Sequence, residues 1–372
     1  SESRTVNVGI IGGGQLARML VLAGYPLGLR FQILDPAADA CAGQVAPLIQ
    51  GDYDDAARLA RLADWADVVT FDFENVPAAA AHILAGRVAF HPPAEALARA
   101  QDRLSEKTLF WELGIPTPNF ITIDSLEELQ DAATRMNLPA VLKTRRLGYD
   151  GKGQRILRIP EDIQLAWQAL GGVPLILESF VPFEREVSVL AIRRGDGATA
   201  FYPLVENHHR EGILRLSRAP CLMPKLEQEG WDYAHRLLDR LNYVGLLAVE
   251  FFVQEGRLIA NEMAPRVHNS GHWTIEGAET SQFENHLRAI LGLPLGAAVA
   301  TGYSVMLNCI GDLPERSAVL ALPNAHYHDY GKAPRAGRKV GHITLCGDDP
   351  NAVWKELKPL LPLVGFGLEE FG

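Results

Sequence analysis

The first hundred residues alternate short apolar runs with helical stretches, and this alternation constrains the fold more than any other feature. Residues 6–11, 31–35 and 68–73 are apolar runs of strand length, and a helical stretch from 15 to about 23 separates the first two. Strands that alternate with helices predict βαβ units, in which neighbouring strands run parallel. Ligands bind such sheets at the carboxyl ends of the strands, which here carry a glycine cluster at 12–14 and polar side chains at 74–75.

The glycine cluster permits two interpretations. Gly12, Gly14 and Ala17 fit the Gly-x-Gly-x-x-Gly/Ala pattern of dinucleotide-binding turns, and Asp35 ends the next strand about where a ribose-binding acid lies. The alternative is that these glycines only allow the helix and the strand to pack closely. A nicotinamide-dependent dehydrogenase also needs a substrate domain with a hydride-transfer site, and the sequence offers no clear candidate for one. A glycine-rich turn alone does not separate the two interpretations.

A second glycine-rich segment, residues 143–154, carries a high density of positive charge. It reads Lys-Thr-Arg-Arg-Leu-Gly-Tyr-Asp-Gly-Lys-Gly-Gln, so three glycines lie among four basic side chains. Glycine lets backbone N–H groups approach an anion closely, and successive N–H groups form an anion-binding concavity. The segment lacks the Gly-Lys-Ser/Thr ending of a Walker A loop. It predicts a loop of another kind that grips a polyphosphate, and the alternative is a flexible basic loop on the surface.

Bulk composition narrows the functional classes. A chain of 372 residues with 48% hydrophobic and 22% charged residues is long enough for two or three globular domains. A net charge of −10 argues against a nucleic-acid binder, and no apolar run reaches the ~20 residues of a membrane span. The four cysteines are far apart and form no Cys-x-x-Cys pair, which favours a reducing, cytoplasmic compartment over a disulfide framework or a zinc ribbon.

Two acidic residues, Glu250 and Glu262, stand in apolar runs on either side of a hairpin signal at 254–256. A two-residue turn would place the two carboxylates on opposite faces, whereas a three-residue loop or a bulge would make them face each other. Facing carboxylates repel unless a cation lies between them, and Mg²⁺ is commonly held by carboxylates together with substrate phosphates. Because a dense polar run follows at 261–272, the sequence favours a Mg²⁺ site over two solvated acids.

Together these motifs resemble the ATP-grasp superfamily and, within it, the 5-(carboxyamino)imidazole ribonucleotide synthase family of purine biosynthesis. The similarity extends over nearly the whole chain, and its most specific segments are 12–16, 73–76, 148–154, 207–214, 261–272 and 331–342. The resemblance implies an α/β and α+β fold of ATP-grasp architecture. It comprises an N-terminal Rossmann-like pre-ATP-grasp domain at 1–102, a small α/β lid subdomain at 103–182, and a C-terminal half at 183–372 with mixed or antiparallel β structure. The glycine cluster at 12–14 is then a false dinucleotide fingerprint.

Further elements are expected within these domains. A helix is expected over 97–113, and an α/β unit over 126–171 surrounds the glycine-rich segment. The C-terminal stretch predicts strands over 304–310, 319–322 and 339–346 and a helix over 352–361. We expect these to pack as a small antiparallel unit at the end of the chain.

The family resemblance implies an ATP-dependent carbon–nitrogen ligase. Such an enzyme transfers the γ-phosphoryl group of ATP to bicarbonate, and the resulting carboxyphosphate, or CO₂ released from it, carboxylates 5-aminoimidazole ribonucleotide. ATP and Mg²⁺ are the expected cofactors, and a homodimer without nucleic-acid or membrane partners is the expected assembly. One alternative is an ATP-grasp enzyme like the formate-dependent glycinamide ribonucleotide transformylase. The dehydrogenase and a catalytically silent nucleotide sensor are alternatives from other classes.

The resemblance also assigns a nucleotide site. Arg103 and Lys143 are expected at the ATP phosphates, with the loop over 148–154 closing on them as a lid. Glu178 is expected to accept the adenine amino group and Glu186 to bind the ribose hydroxyls. The expected ATP-binding residues are Arg103, Lys143, Gly148, Tyr149, Asp150, Gly151, Lys152, Gly153, Gln154, Glu178, Ser179, Phe180, Val181, Glu186, His209, Asn261 and Glu262. Glu250 and Glu262 are the expected metal ligands, and Ala264 stands where many ATP-grasp enzymes carry a third, amide ligand.

The second substrate and the chemistry are assigned in the same way. Arg266 is expected to stabilise carboxyphosphate, and Asp150 is expected to accept the proton of the attacking amine. Tyr149 and Lys152 are expected to position 5-aminoimidazole ribonucleotide from the lid. The expected substrate-binding residues are Gly14, Gln15, Glu74, Asn75, His268, Asn269, Ser270, Lys332, Arg335, Arg338 and Lys339. The last four form a basic cluster for the substrate phosphate, although charge runs are otherwise commonly solvated loops.

Overall fold

The structure, a computed structural model, describes residues 4–367, and the strands in that part of the chain form three β-sheets of five, four and nine strands. The first sheet is parallel, and the other two are antiparallel. This combination confirms the expected α/β and α+β fold class. None of the helices in residues 4–367 has the length and apolar character needed to cross a membrane.

The five-stranded sheet is built from the N-terminal region. Its elements are β1 (Asn7–Ile11), α1 (Gln15–Gly24), β2 (Arg30–Asp35), β3 (Leu48–Gln50), α2 (Ala56–Trp65), β4 (Val68–Phe71), α3 (Ala78–Ala85), β5 (Ala89–Phe90) and α4 (Ala94–Gln101). The strands pair in the order β3-β2-β1-β4-β5. Strand residues such as Val8, Ile10 and Val69 are fully buried, as expected of a parallel sheet. The predicted alternation of strands and helices is confirmed.

Carboxylates of the same domain fill the glycine turn between β1 and α1. The Gly13 N–H donates to Asp35 Oδ2 (2.8 Å), and the Gly14 and Ala17 N–H groups donate to Asp72 Oδ2 (2.9 and 3.2 Å). Burial raises the pKa of Asp72 to about 6, which leaves it mostly ionised at neutral pH. A negative charge is favourable at the N-terminus of α1. The N–H groups that would bind a dinucleotide pyrophosphate are therefore already bonded.

The four-stranded sheet follows. Its elements are α5 (Arg103–Glu112), β6 (Phe120–Ile123), α6 (Leu126–Met136), β7 (Ala140–Thr144), β8 (Gln154–Leu157), α7 (Glu161–Leu170) and β9 (Leu175–Ser179), with strand order β6-β9-β7-β8. The prediction of one helix over 97–113 is wrong, because α4 and α5 are separate helices. Asp102 between them is extended (φ −126°), and its side chain accepts a hydrogen bond from Leu104 N–H (2.8 Å), which caps α5.

The nine-stranded sheet occupies the rest of the chain. Its elements are β10 (Arg185–Arg193), β11 (Thr199–Phe201), β12 (Val205–Arg210), β13 (Ile213–Ala219), α8 (Pro224–Arg240), β14 (Gly245–Gln254), β15 (Arg257–Ala264), α9 (Thr274–Gly277), α10 (Gln282–Ile290), β16 (Tyr303–Ile310), α11 (Arg316–Leu320), β17 (Ala325–Asp329), β18 (Lys339–Gly347) and α12 (Pro350–Leu357). The strand order is β15-β14-β10-β12-β13-β16-β18-β17, and β11 pairs with β10.

The C-terminal strands continue this sheet instead of forming a separate unit. β16 pairs with β13, and β18 pairs with β16, so main-chain hydrogen bonds join the end of the chain to the rest of the sheet. The prediction of a strand over 319–322 is wrong. Helix α11 covers Arg316–Leu320, and a four-residue apolar run does not distinguish a helical turn from a strand.

Two further differences lie nearby. The sequence analysis does not include β17, whose Ala-His-Tyr-His-Asp sequence contains only two apolar residues and no β-branched residue. The helix expected over 352–361 ends at Leu357 and continues as a 3₁₀ helix, Lys358–Val364. Pro359 and Pro362 lie in this segment, and proline lacks the N–H donor that a continuing α-helix requires.

Candidate active site

A cleft of about 870 Å³ is lined by residues from all three sheets and their loops. The predicted site residues that line it are Gln15, Glu74, Asn75, Arg103, Lys143, Gly148, Tyr149, Asp150, Gly151, Lys152, Gln154, Glu178, Ser179, Phe180, Val181, Glu186, His209, Glu250, Asn261, Glu262, Arg266, His268, Asn269 and Lys339. The predicted residues outside this lining are Gly14, Gly153, Ser270, Lys332, Arg335 and Arg338. Motifs that are far apart in the sequence thus converge on one cavity.

Glu250 and Glu262 face each other on adjacent strands of the cleft wall. A two-residue turn at 255–256 joins β14 to β15, but a bulge after Glu250 shifts the register so that Glu250 pairs with Glu262. Of the geometries that the sequence leaves open, the structure therefore adopts the bulge. His268 Nε2 lies 3.5 Å from Glu250 Oε1, and Arg103 Nη1 lies 3.4 Å from Glu262 Oε2.

The two facing carboxyl groups have pKa values displaced in opposite directions. Burial and the charge of Glu262 raise the pKa of Glu250 well above its ordinary value. Burial also opposes ionisation of Glu262, but the hydrogen bond from Glu250 and the charge of Arg103 outweigh it and lower the pKa of Glu262. Their mutual repulsion therefore opposes full ionisation of both carboxyl groups. A divalent cation between the two oxygens would relieve the same repulsion.

Glu178 holds two lysine side chains beside the cleft. Its carboxylate lies 2.5 Å from the Lys143 ammonium and forms a second ion pair with Lys107 of α5. Glu178 is 2% exposed, and although burial opposes its ionisation, the charges of Lys143 and Lys107 lower its pKa to about 2. Lys143 lines the cleft, whereas Lys107 is fully buried. In this structure the Glu178 carboxylate fixes the orientation of Lys143.

The start of α5 is tied to the strand that carries Glu262. Arg103 pairs with Glu262, and Glu106 Oε2 accepts a hydrogen bond from the Met263 N–H at 3.1 Å. Burial raises the pKa of Glu106 to about 8. These contacts fix Arg103 relative to the carboxylate pair.

Arg266 joins the N-terminal domain to the cleft. It follows β15 and forms an ion pair with Glu74, which lies in the loop after β4. Gln101 of α4 holds this loop by donating to the backbone carbonyls of Glu74 (2.9 Å) and Val76 (2.7 Å). The predicted catalytic arginine and a predicted substrate residue are thus in direct contact.

The segment after β15 presents His268 and Asn269 to the cleft. Ser270 is fully buried, and its hydroxyl lies 2.7 Å from His268 Nδ1 while accepting a hydrogen bond from Ser188 (2.8 Å). Asn269 exchanges side-chain amide hydrogen bonds with Asn308 of β16 (3.1 and 2.6 Å). Ser270 is therefore placed to orient His268 and not to line the cleft itself.

The glycine-rich segment joins β7 to β8 and lies over the cleft. Lys152 Nζ donates to the Tyr149 hydroxyl (3.3 Å), and Lys339 Nζ donates to Asp150 Oδ1 (3.3 Å). Tyr149 remains 56% exposed. The segment thus connects the four-stranded sheet to the first residue of β18.

The C-terminal basic cluster divides into two pairs. Lys339 lines the cleft, and Lys332 Nζ donates to Gln15 Oε1 at 3.1 Å. Arg335 is exposed, and Arg338 donates to the Ala333 carbonyl of its own loop (3.0 Å). The two lysines are therefore better placed for a ligand in the cleft than the two arginines.

Beside the carboxylates, on β14 and the neighbouring strands β10 and β12, the cleft has a mixed polar and apolar wall. His209 Nδ1 on β12 lies 3.0 Å from Glu186 Oε2 on β10. Phe183 and Phe252 stack with ring centroids 5.0 Å apart, and both line the cleft. An apolar, aromatic surface suits a planar ring, whereas the neighbouring polar groups suit hydroxyls.

The chain is similar over nearly its full length to proteins named N5-carboxyaminoimidazole ribonucleotide synthase. The protein of that name from Pseudomonas aeruginosa is 57% identical over 344 residues, which cover 92% of this chain and 95% of that protein. The one from Bacillus subtilis is 40% identical over 354 residues, which cover 93% of each chain. This chain belongs to the N5-carboxyaminoimidazole ribonucleotide synthase family.

Three family models match successive parts of this member of the synthase family. A ribonucleotide synthetase preATP-grasp domain matches residues 5–101, an ATP-grasp domain matches 108–283, and a phosphoribosylaminoimidazole carboxylase C-terminal domain matches 304–356. These matches confirm the ATP-grasp architecture. The chain is an enzyme, an ATP-grasp ligase of this synthase family.

Solved structures of the synthase family have the same fold. N5-carboxyaminoimidazole ribonucleotide synthetase from Thermus thermophilus superposes with a TM-score of 0.92 at 56% identity and covers 96% of this chain and 98% of that one. The Aspergillus clavatus synthase, solved in complex with ADP and 5-aminoimidazole ribonucleotide, has a TM-score of 0.91 at 31% identity and covers 97% and 98%. These findings support the ligase interpretation, and they support neither the transformylase nor the dehydrogenase.

Several residues that shape this synthase-family site are not predicted from the sequence. Lys107, Glu106, Gln101 and Asn308 each bond to a predicted residue or to the backbone beside one. The first three lie on helices, where charged and amide side chains are commonly solvated, and Asn308 lies within an apolar strand. Nothing in the local pattern distinguishes them, because their partners are more than twenty residues away along the chain.

Proposed function

We propose that this chain converts 5-aminoimidazole ribonucleotide, bicarbonate and ATP into 5-(carboxyamino)imidazole ribonucleotide, ADP and phosphate in purine biosynthesis. The observation that carries the proposal is the facing pair Glu250 and Glu262 beneath a basic, glycine-rich loop in a chain of this ligase family. Phosphoryl transfer depends mainly on positioning and neutralising a polyphosphate. The cleft offers carboxylates for a metal ion and cations for phosphates around one space.

Mg²⁺ fits the carboxylate pair. Glu250 and Glu262 are hard oxygen donors at facing positions, and a cation between them would relieve the repulsion that helps raise the pKa of Glu250. Residues 4–367 contain no group of three or more His, Cys, Asp or Glu side chains suited to a metal, so phosphate oxygens and water would complete the shell. When bound, Mg²⁺ supplies neutralisation of the charge that develops on the transferring phosphoryl group.

Arg103 and Lys143 supply further positive charge for the ATP phosphates. Arg103 is held by Glu262 and Lys143 by Glu178, so both cationic groups are oriented before the nucleotide binds. Glu186 and His209 are assigned to the ribose side of the nucleotide. The adenine ring is assigned to residues 178–181, which comprise the end of β9 and the two residues after it.

The reaction has two steps. A bicarbonate oxygen attacks the γ-phosphorus of ATP, ADP leaves, and carboxyphosphate forms, with the Arg266 guanidinium stabilising its negative charge. The exocyclic amine of 5-aminoimidazole ribonucleotide then attacks the carboxyl carbon of carboxyphosphate, or of CO₂ released from it. The C–N bond forms, phosphate is the leaving group, and Asp150 accepts the amine proton.

The second substrate is assigned to the side of the cleft formed by the N-terminal domain and the lid. Glu74 and Gln15 contact it from the N-terminal domain, and Tyr149 and Lys152 contact it from the lid. Lys332 and Lys339 are the cations assigned to its phosphate, because they bond to Gln15 and Asp150 respectively. His268 and Asn269 complete the site beside Arg266.

A coupled assay of ADP release tests the proposed function. We expect turnover that requires both bicarbonate and 5-aminoimidazole ribonucleotide, with a carboxylated product detected by mass spectrometry. The matched reactions contain formate and glycinamide ribonucleotide in their place. ADP release with formate but not with bicarbonate would contradict the proposal and favour the transformylase alternative.

The same proposal includes expectations about the domain division, the cellular compartment and the oligomeric state. The chain works as three units, at 1–102, 103–182 and 183–372, of which the middle unit is the lid. It acts in the cytoplasm, which the free thiols of Cys41, Cys221, Cys309 and Cys346 support. It forms a homodimer, and light scattering coupled to size-exclusion chromatography distinguishes a dimer from the 40.7 kDa monomer.

A further inference from the structure

The lid rests on a hairpin turn that belongs to a different sheet. The turn at Glu211 and Gly212 joins β12 to β13, and Gly212 lines the cleft beside the lid residues. A Cβ added to Gly212 would lie 2.7 Å from Gly151 N and 3.1 Å from the Asp150 carbonyl carbon, and closer still to Gly151 Cα. These are backbone atoms of the lid, so no side-chain rotation relieves the overlap.

The contact is reciprocal. A Cβ added to Gly151 would lie 3.0 Å from the Glu211 carbonyl oxygen and 3.0 Å from Gly212 Cα. The neighbouring ion pair between Asp150 and Lys339 (3.3 Å) also joins the lid to the nine-stranded sheet. Two glycines in backbone contact and one adjacent ion pair therefore join the lid to the nine-stranded sheet.

We propose that Gly212 is a positioning residue for the reaction: it is the surface against which the lid closes, and its missing side chain sets how far the lid closes. The proposal rests on the proposed function in one respect, because the lid must protect carboxyphosphate. Water that attacks carboxyphosphate returns bicarbonate and phosphate, so ATP is consumed and no C–N bond forms. A lid held away from Gly212 admits that water and displaces Tyr149, Asp150 and Lys152 from the second substrate.

The chain contains a matched control turn of the same sequence. Glu255 and Gly256 form the two-residue turn between β14 and β15, just as Glu211 and Gly212 join β12 to β13. Both central residues have positive φ in each turn: 53° and 78° in the first, and 52° and 72° in the second. A Cβ on Gly256 would meet nothing within 4 Å. Alanine thus introduces the same backbone strain at both positions and a collision at only one.

The experiment compares Gly212→Ala with Gly256→Ala in the full chain. The readout is the ratio of ADP released to carboxylated product formed, measured at saturating ATP and bicarbonate. For Gly212→Ala we expect product formation to fall by about 100-fold, the order of effect of a displacement of ~1 Å at a reacting centre. ADP release should fall much less, so the ratio rises above that of the wild type. For Gly256→Ala the ratio should equal the wild-type ratio.

A second readout does not depend on the reaction. Limited trypsin digestion cleaves after Arg145, Arg146 and Lys152, and we expect faster cleavage there in Gly212→Ala than in Gly256→Ala, with ADP present. A wild-type protein without bicarbonate-dependent turnover would contradict the proposed function, yet the digestion would still report on the lid contact.

Equal ADP-to-product ratios together with equal cleavage rates in the two variants would overturn the inference. A loss of activity at an unchanged ratio, with unchanged cleavage, would overturn it as well. If Gly212→Ala does not fold, Gly151→Ala adds a methyl group on the other side of the same contact, and the same two measurements apply to it.

Discussion

Two segments of this chain are both rich in glycine, but their surroundings carry opposite charge. Carboxylates surround the first segment, and cationic side chains surround the second. At 12–14 the backbone N–H groups of Gly13 and Gly14 donate to Asp35 and Asp72, so carboxylates of the same domain occupy the anion site. Residues 148–152 instead line an open cleft of about 870 Å³, whose lining also includes Arg103 and Lys143. One segment is a packed turn, and the other is the lid of the proposed active site.

The difference shows what a glycine pattern specifies. Glycine gives the backbone conformational freedom and room for close approach, but the charges brought by other segments determine what approaches. Asp72 directly follows β4, which pairs in parallel with β1. This register places Asp72 beside the first segment, which directly follows β1. Lys143 lies on β7 at the start of the second segment, and the backbone hydrogen bond from Arg103 N–H to the Arg145 carbonyl (2.9 Å) holds Arg103 beside this segment.

The largest expected effect concerns the carboxylates beneath the lid. Glu262→Gln removes the charge expected to hold Mg²⁺ and to balance Arg103, so we expect kcat for ADP release to fall by more than ~100-fold, as when a main electrostatic group of an active site is lost. Steady-state assays with circular dichroism of the folded variant check this. Glu255→Gln, at the exposed tip of the same hairpin, is the control and should be active. Full activity of Glu262→Gln would remove it from the metal site and weaken the contrast between the two segments.

A smaller effect is expected at the packed turn. Asp72→Ala leaves the Gly14 and Ala17 N–H groups without their acceptor, and we expect the free energy of unfolding to fall by about 2 kcal/mol, the usual cost of an unsatisfied buried group. Denaturant titration monitored by circular dichroism measures it, and Asp54→Ala, at an exposed position, is the control. Unchanged stability in Asp72→Ala would mean that the turn does not depend on its internal carboxylate.

The smallest expected effect is the absence of a response to dinucleotides. Because the N–H groups of the first turn are already bonded, adding NADH to the wild-type protein should change neither NADH fluorescence nor the thermal unfolding midpoint. ADP with Mg²⁺ is the positive control and should raise the midpoint, since a ligand that binds only the folded state stabilises it. Saturable NADH binding that persists in the presence of ADP would place a nucleotide at the first turn and break the comparison.

Much of the fold follows from patterns confined to ten or twenty residues. The alternation of apolar runs with helical stretches predicts the parallel sheet, and the hairpin signal at 254–256 predicts β14 and β15. The errors occur where local signals are weak. A four-residue apolar run at 319–322 belongs in part to α11, and an apparently continuous helix over 97–113 breaks at Asp102, whose side chain caps the second half.

In the candidate site, too, the sequence predicts some features, and others depend on how the elements pack. The sequence identifies Glu250 and Glu262 as a pair, but whether they face each other depends on one bulge, which local propensity does not specify. The sequence also identifies Glu178, but its two lysine partners, Lys107 and Lys143, come from a helix and a strand that packing brings together.

The sequence by itself determined the kinds of element, the motifs and the family of this protein, because periodicity, turn residues and short motifs are local properties of the chain. Only the tertiary structure decided which anion site was filled and which stayed open. The first site is filled because Asp72, 58 residues away from Gly14 along the chain, accepts a hydrogen bond from the turn. Charge pairing and backbone contact over such separations follow from how the sheets pack, and no short segment encodes them.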